Sequence, residues 1–498
     1  MNRPRVSIFS VRRAWAGALM IAGALCAGTL AAGSADPVAW HAPPPPEPAV
    51  VVVRGATIWT SGPDGQLENA DLVVRDGRIV AVGADVAADA PADALTIDGR
   101  GKHVTAGIID PHSHISTAGG VNEATNIVTA EVRIEDVIDA HDIAIYRQLA
   151  GGTTVAHIMH GSANSIGGQT AVIKMRWGQD ARGLHFKAAN PGIKFALGEN
   201  PKQSNWGVSQ LRYPQTRAGV EGSIRDALAA AEDLRRTREQ HAAAGRDAIP
   251  PRPDLQVDAL LEVLDGTRDV HSHSYRADEI LMLLDVAADH GFVVKVFQHG
   301  LDAYKVADEL AAAGSGVSSF SDWWAYKFEV IDAIPHNGAI LHERGVLTSF
   351  NSDDDELGRR LNLEAAKAVR YGGVAPREAL KFMTLNPAIQ LGIDDRVGSL
   401  EPGKDADFVV WSGDPLSTYS ICEWTFIDGR PYFSRARDLE NRAAIAEERA
   451  QLLAAVRAAS GSGGDDAADG DEAETSEAPE APEASDTQDA SYAAEVLP

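Results

Sequence analysis

The sequence predicts an α/β fold: a (β/α)8 barrel with a small β-sandwich built from both ends of the chain. Three observations point there. Between residues 104 and 393, apolar strand-like runs alternate with helix-patterned stretches, the mark of parallel strands joined by crossover helices. Short strand-like runs separated by turn signals flank this segment on both sides. Polar side chains capable of chemistry gather at the C-terminal ends of the central strands, where barrels of this kind carry their sites.

Taken in order, residues 1–35 read as an export signal. Arg3, Arg5, Arg12 and Arg13 precede an apolar run over 14–32, and Gly33, Ser34 and Ala35 offer a small-residue cleavage site. Either the general or the twin-arginine route fits, and an uncleaved run would be long enough to span a bilayer. Cleavage would place the protein in the periplasm or outside the cell, with Cys422 as the one remaining cysteine and hence no intramolecular disulfide. Residues 36–48, with Pro43–Pro46, form a linker. The first part of the β-sandwich covers 49–103, with strands at 50–53, 56–59, 71–75, 78–82 and 95–98.

The barrel, 104–393, has expected strands at 104–109, 153–158, 193–197, 269–273, 292–298, 316–319 and 346–351. Helices are expected at 134–149, 224–241, 277–290, 303–313, 363–370 and 376–385, with loop insertions at 203–217 and 242–255. Residues 394–435 return to the sandwich, 436–460 form a charged helix, and 461–498 form an acidic tail too polar to fold alone.

The tail holds twelve acidic and no basic residues, nearly half of the net charge of −26. No basic cluster appears elsewhere, which argues against nucleic acid as a partner. A small-molecule substrate fits better, with no membrane association after signal cleavage and room for a homo-oligomer.

The run 104–109 leads into Asp110, Pro111, His112, Ser113 and His114. Side chains alternate along a strand, so His112 and His114 project the same way and could grip one metal ion, with zinc well suited. His271 and His273 share a face by the same parity, His299 ends 292–298, and Asp353 follows 346–351. Lys194 lies inside an apolar strand, costly unless paired or modified. Carbamylated by CO₂, it would become an anionic oxygen ligand able to bridge two metals.

The order of these motifs resembles the metal-dependent amidohydrolase superfamily, with closest likeness to its imidazolonepropionase-like branch. The motifs are Asp110 to His114, the stretches 151–155 and 384–388, and the run 398–410 that reads GSLEPGKDADFVV. The resemblance implies His112 and His114 as ligands of a buried metal, His271 and His299 on a second, and carbamylated Lys194 between them. It favours His271 over His273, which would face substrate or support a ligand. Glu199 is the alternative bridge; with no bridge the site would hold one ion. Asp353 would bind metal and shuttle the proton.

The implied reaction is hydrolysis of an amide or cyclic amide in a small substrate, such as a dipeptide or N-acyl amino acid. A lactonase, phosphoesterase or deaminase of the same fold and a non-catalytic metal-stabilised binding protein are the rivals. His160, Asn164 and Gln169 on a glycine-rich loop, and His336 at a helix start, are further candidate substrate contacts. Trp323, Trp324, Tyr326 and Lys327 could line the pocket wall. Asp354 and Asp355 are expected to cap the helix that follows or to meet solvent.

Overall fold

The computed structural model describes residues 44–202, 212–244, 249–322 and 327–461. The export signal, most of the linker, the acidic tail, Trp323, Trp324 and Tyr326 lie outside the described residues.

The strands, in chain order, are β1 (Val50–Trp59), β2 (Gln66–Arg75), β3 (Arg78–Gly83), β4 (Leu95–Asp98), β5 (His103–Ala106), β6 (Ile108–Ser113), β7 (Thr153–Ile158), β8 (Ile166–Gln169) and β9 (Ala171–Lys174). They continue with β10 (Gly192–Ala196), β11 (Asp269–Ser274), β12 (Val294–His299), β13 (Gly316–Ser319), β14 (Thr348–Phe350), β15 (Phe408–Trp411), β16 (Cys422–Ile427) and β17 (Arg430–Ser434).

Both ends of the chain do meet, but in one continuous eight-stranded sheet where two stacked sheets were expected. Its order is β17-β16-β15-β5-β1-β2-β3, with β4 also paired to β1. The physical reason lies in β1. Gly55, at φ +67°, sits where the register slips, so residues 51–54 pair with β4 and residues 57–59 with β5. Asp76 and Gly77, both at positive φ, make the tight turn between β2 and β3.

The single strand expected at 104–109 is split. β5 belongs to the end sheet and β6 to the central region, with Gly107 at the break. A Cβ on Gly107 would lie 2.2 Å from the Thr154 hydroxyl oxygen, so only glycine fits there.

The central region is a mixed α/β assembly. β6 and β7 pair in parallel, as do β10 through β14 in succession. β8 lies in the stretch 160–169 that the sequence suggests is a binding loop, and β9 follows it; both are antiparallel strands, β8 pairing with β10 and β9 with β7. Glycine, serine and asparagine before and within this segment hid the strands. At the other edge β14 reaches β6 through the Asp353 amide, which donates to the His112 carbonyl at 3.1 Å.

The helix Ala277–His290 matches its expected bounds to the residue, whereas the one expected at 376–385 is two, Pro376–Lys381 and Leu385–Gln390, and 303–313 opens with a 3-10 turn, Ala303–Val306. The stretch 134–149 is instead a 3-10 turn, Ile134–Val137, and a helix, Ile143–Leu149, started by Asp142 accepting from the Ala144 amide. The helix Leu255–Leu264, capped by Asp254, was not foreseen. Among the described residues no helix is long and apolar enough to cross a membrane.

A buried charge network fastens β9 to the end sheet. Lys174 Nζ lies 2.9 Å from Asp405, 3.1 Å from Asp407 and 2.6 Å from Asp428. The charged part of the 398–410 motif therefore holds two regions together.

Candidate metal centre

His112 is fully buried at the end of β6, and His114 follows it half-buried. The His114 Nδ1 lies 2.9 Å from the Met159 carbonyl oxygen. A carbonyl only accepts, so Nδ1 carries the proton and Nε2 keeps its lone pair. That lone pair faces Asp353 Oδ1 at 3.0 Å. His112 Nε2 lies 3.4 Å from the same oxygen, while its Nδ1 donates to Gln298 Oε1 at 3.2 Å. Donor atoms of His112, His114 and Asp353 all fall within 4.8 Å of one another.

His299 Nε2 stands 3.8 Å from the other Asp353 oxygen, and Lys194 Nζ lies 3.0 Å from His112 Nε2. Both His299 ring nitrogens and His273 Nε2 are buried without a hydrogen-bond partner among the described residues. Buried ring nitrogens without partners, and the His114 lone pair turned toward a carboxylate, are costly by themselves. A divalent cation would answer the His112, His114 and Asp353 atoms together, and imidazole with carboxylate is a donor set that zinc accepts.

The backbone here is strained. His299 adopts φ +70° and Asp353 φ +46°, where side chains other than glycine are disfavoured. Such strain persists where surrounding contacts over-determine it, often at functional sites. Asp110 supplies part of that constraint: it accepts from the Ser352 amide at 3.1 Å, the Ser352 hydroxyl at 2.5 Å and the His112 amide at 3.3 Å. It thereby ties the first strand's histidines to the loop bearing Asp353.

Burial pushes the Asp353 carboxyl up, but His299, His114 and Lys194 outweigh it and hold the group well below the usual carboxylate range. Burial lowers Lys194 to about 7 against the opposing field of Asp353. Burial likewise lowers His299 to about 3 and depresses His112, His271 and His273. Neutral imidazoles beside an ionised carboxylate are the states that metal ligation requires.

The structure thus brings together His112, His114, Lys194, His299 and Asp353. The β11 pair divides. His273 packs 4.8 Å from the His299 ring, whereas His271 packs 4.5 Å from His157, with its Nδ1 3.4 Å from Gln298 Nε2. The sequence preference for His271 thus meets a geometry that sets His273 against His299.

Other candidates do different work. Asn164 donates to the Glu123 carbonyl and Thr129 hydroxyl, Gln169 to the Ala130 carbonyl, and His160 Nδ1 lies 2.9 Å from the Val121 carbonyl. These contacts brace the 121–132 segment. The Glu199 amide donates to Glu329, and exposed His336 precedes the helix Asn337–Glu343 without capping it. The Asp354 carboxylate accepts from the Glu356 and Leu357 amides, bracing the turn before the 3-10 helix Leu357–Arg359, whose N-cap is Glu356. Gln298 and Asp110 were missed as site supports, although each adjoins a flagged histidine motif.

Comparisons with known proteins point to one family. The amidohydrolase family profile matches residues 330–433. The chain is 30% identical over 425 residues to the amidohydrolase tasK of Hapsidospora irregularis, covering 77% of this chain and 43% of that protein, so it spans less than half of that relative. It is 26% identical to the imidazolonepropionase of Geobacillus kaustophilus, covering 70% of this chain and 85% of that protein. The crystal structure of an amidohydrolase from Thermotoga maritima aligns with a TM-score of 0.70 and 34% identity, over 77% of this chain and all of that one. The chain belongs to the amidohydrolase family.

Proposed function

We propose that this protein is an exported, metal-dependent hydrolase that cleaves the amide or cyclic amide bond of a small substrate such as a dipeptide or N-acyl amino acid. One observation carries the reading: the Nε2 atoms of His112 and His114, whose Nδ1 atoms are already engaged, both face Asp353 Oδ1, at 3.4 and 3.0 Å. We take the seven parallel strands as a closed barrel, with β8 and β9 spanning β7 to β10 and the Asp353–His112 bond joining β14 to β6. Export rests on the pattern of residues 1–35, and cell fractionation tests it.

His112, His114 and Asp353 would hold one ion, and Lys194, His299 and a β11 histidine a second, with zinc the best match. When bound, such an ion would acidify a water and polarise the scissile carbonyl. Asp353, kept ionised, takes the proton from water at a carboxylate oxygen and passes it to the leaving nitrogen. His114 is fixed in the required tautomer by Met159. Lys194 is the residue for carbamylation, since its amine stands in the centre beside His112 Nε2.

Turnover of a panel of dipeptides and N-acyl amino acids by zinc-loaded protein tests the reading. Release of the free amine supports it. Hydrolysis of lactones or phosphoesters alone, or deamination, would assign another reaction to the same centre. Bound metal without any turnover would favour a binding protein. Metal counts in separate His271→Ala and His273→Ala variants decide which β11 histidine ligates.

A further inference from the structure

Gln298 is fully buried near the end of β12, one residue before His299. Its Oε1 lies 3.2 Å from His112 Nδ1, and its Nε2 lies 3.4 Å from both the Pro111 carbonyl oxygen and His271 Nδ1. An amide has an oxygen that accepts and a nitrogen that donates, so its orientation dictates what each neighbour must be. The Pro111 carbonyl sets that orientation. It only accepts, and a reversed amide would place two acceptor oxygens against each other in a buried site.

Burial depresses both histidines, so each ring is neutral and holds one proton. On His112 the proton sits at Nδ1, against Gln298 Oε1, and Nε2 is left as the acceptor. The Lys194 amine, a donor, lies 3.0 Å from that Nε2, as this tautomer requires. On His271 the same amide asks for the opposite. There Nδ1 accepts from Gln298 Nε2, so the proton sits at Nε2 and no lone pair remains for a cation. His271 is also held from its other side, edge-on to the His157 ring at 4.5 Å, and His157 Nε2 meets Thr170 Oγ1 at 2.7 Å. His273 lacks such a hold: its Nε2 is buried without a hydrogen-bond partner among the described residues, and its ring packs on His299.

We propose that Gln298 is a positioning residue: its amide, oriented by the Pro111 carbonyl, fixes the two rings in opposite tautomers, presenting His112 Nε2 to a metal ion and withholding His271 from it. This rests on the metal-hydrolase reading above, yet the tautomers it assigns belong equally to the metal-free chain.

The test reads those tautomers by nitrogen NMR of the histidine-labelled, metal-free full chain, with His112→Ala and His271→Ala supplying the assignments, and pairs them with zinc calorimetry. Wild type should show His112 protonated at Nδ1 and His271 at Nε2. Gln298→Met should lose this fixed pair and weaken zinc binding about 10- to 100-fold, the usual cost of removing the partner behind a metal-bound histidine. Gln298→Glu offers acceptors to both rings, so it should keep the His112 proton at Nδ1, move the His271 proton to Nδ1 and restore most of the zinc affinity. The opposite tautomer on either ring in wild type, or unchanged zinc affinity in Gln298→Met, overturns the proposal. If wild type takes up no zinc, the metal reading fails by itself and the spectra decide on Gln298. The assigned pair, lost in Gln298→Met, supports its hold on both rings; any other pair overturns it.

Discussion

Two lysines are fully buried among the described residues, and they stand in opposite surroundings. Lys174 meets three carboxylates within 3.1 Å. Lys194 meets a histidine nitrogen at 3.0 Å, with Asp353 as the nearby anion. Burial pushes both amines down, but at Lys174 the three aspartates reverse the effect and leave it raised. A buried charge that is fully answered serves as a fastening; one left short of partners is held ready for a ligand.

The sharpest separation of the two clusters should come from activity. Asp353→Asn keeps the shape but removes the proton acceptor, so kcat should fall about 10²- to 10⁴-fold. Bound metal, counted by elemental analysis, should remain. Near-normal turnover would remove Asp353 from its role.

Next in size is the fastening. Lys174→Met would strand Asp405, Asp407 and Asp428, and urea unfolding should show a loss of about 3–5 kcal/mol. A loss below about 1 kcal/mol, the scale of a surface pair, would erase the contrast.

Lys194→Met should act in the opposite sense, stabilising the metal-free protein at pH 7 by about 1–3 kcal/mol while lowering its metal content. Because the folded Lys194 value lies near 7 against 10.5 for a free lysine, its penalty is full below pH 7 and fades as pH rises to 10.5. Chelated wild type should therefore gain stability across that window relative to Lys194→Met. A parallel pair of pH profiles would mean that Lys194 is not held under strain.

The smallest effect concerns the backbone beneath the site. His299 sits at φ +70°, so His299→Gly should be more stable than His299→Ala by about 1 kcal/mol in thermal unfolding. Equal stability would show that this strain does not exist in solution.

The sequence made one cluster legible and hid the other. His112 and His114 announced themselves because strand parity puts both on one face, and Asp353 because it follows a strand. Lys194 was visible as a lysine in an apolar run. Lys174 ends β9, whose short length and glycine-rich approach concealed a strand, and its partners lie more than 230 residues away. The same distance hid Gln298 and Asp110, whose partners His112 and Ser352 are 186 and 242 residues removed. Parity cannot order His271 and His273, which share a face; only packing against His157 or His299 distinguishes them. The continuous end sheet was hidden for a related reason, since a bulge at Gly55 decides which strand each half of β1 meets.

The central claim is that the Lys194 cluster, and not the Lys174 cluster, is built for metal. Zinc titration of chelator-stripped protein, read by calorimetry and elemental analysis, tests it most directly. Wild type should take up one or two ions per chain, and the His112→Ala/His114→Ala double variant should lose the tight site while remaining folded. Undiminished zinc uptake by that folded variant would contradict the account.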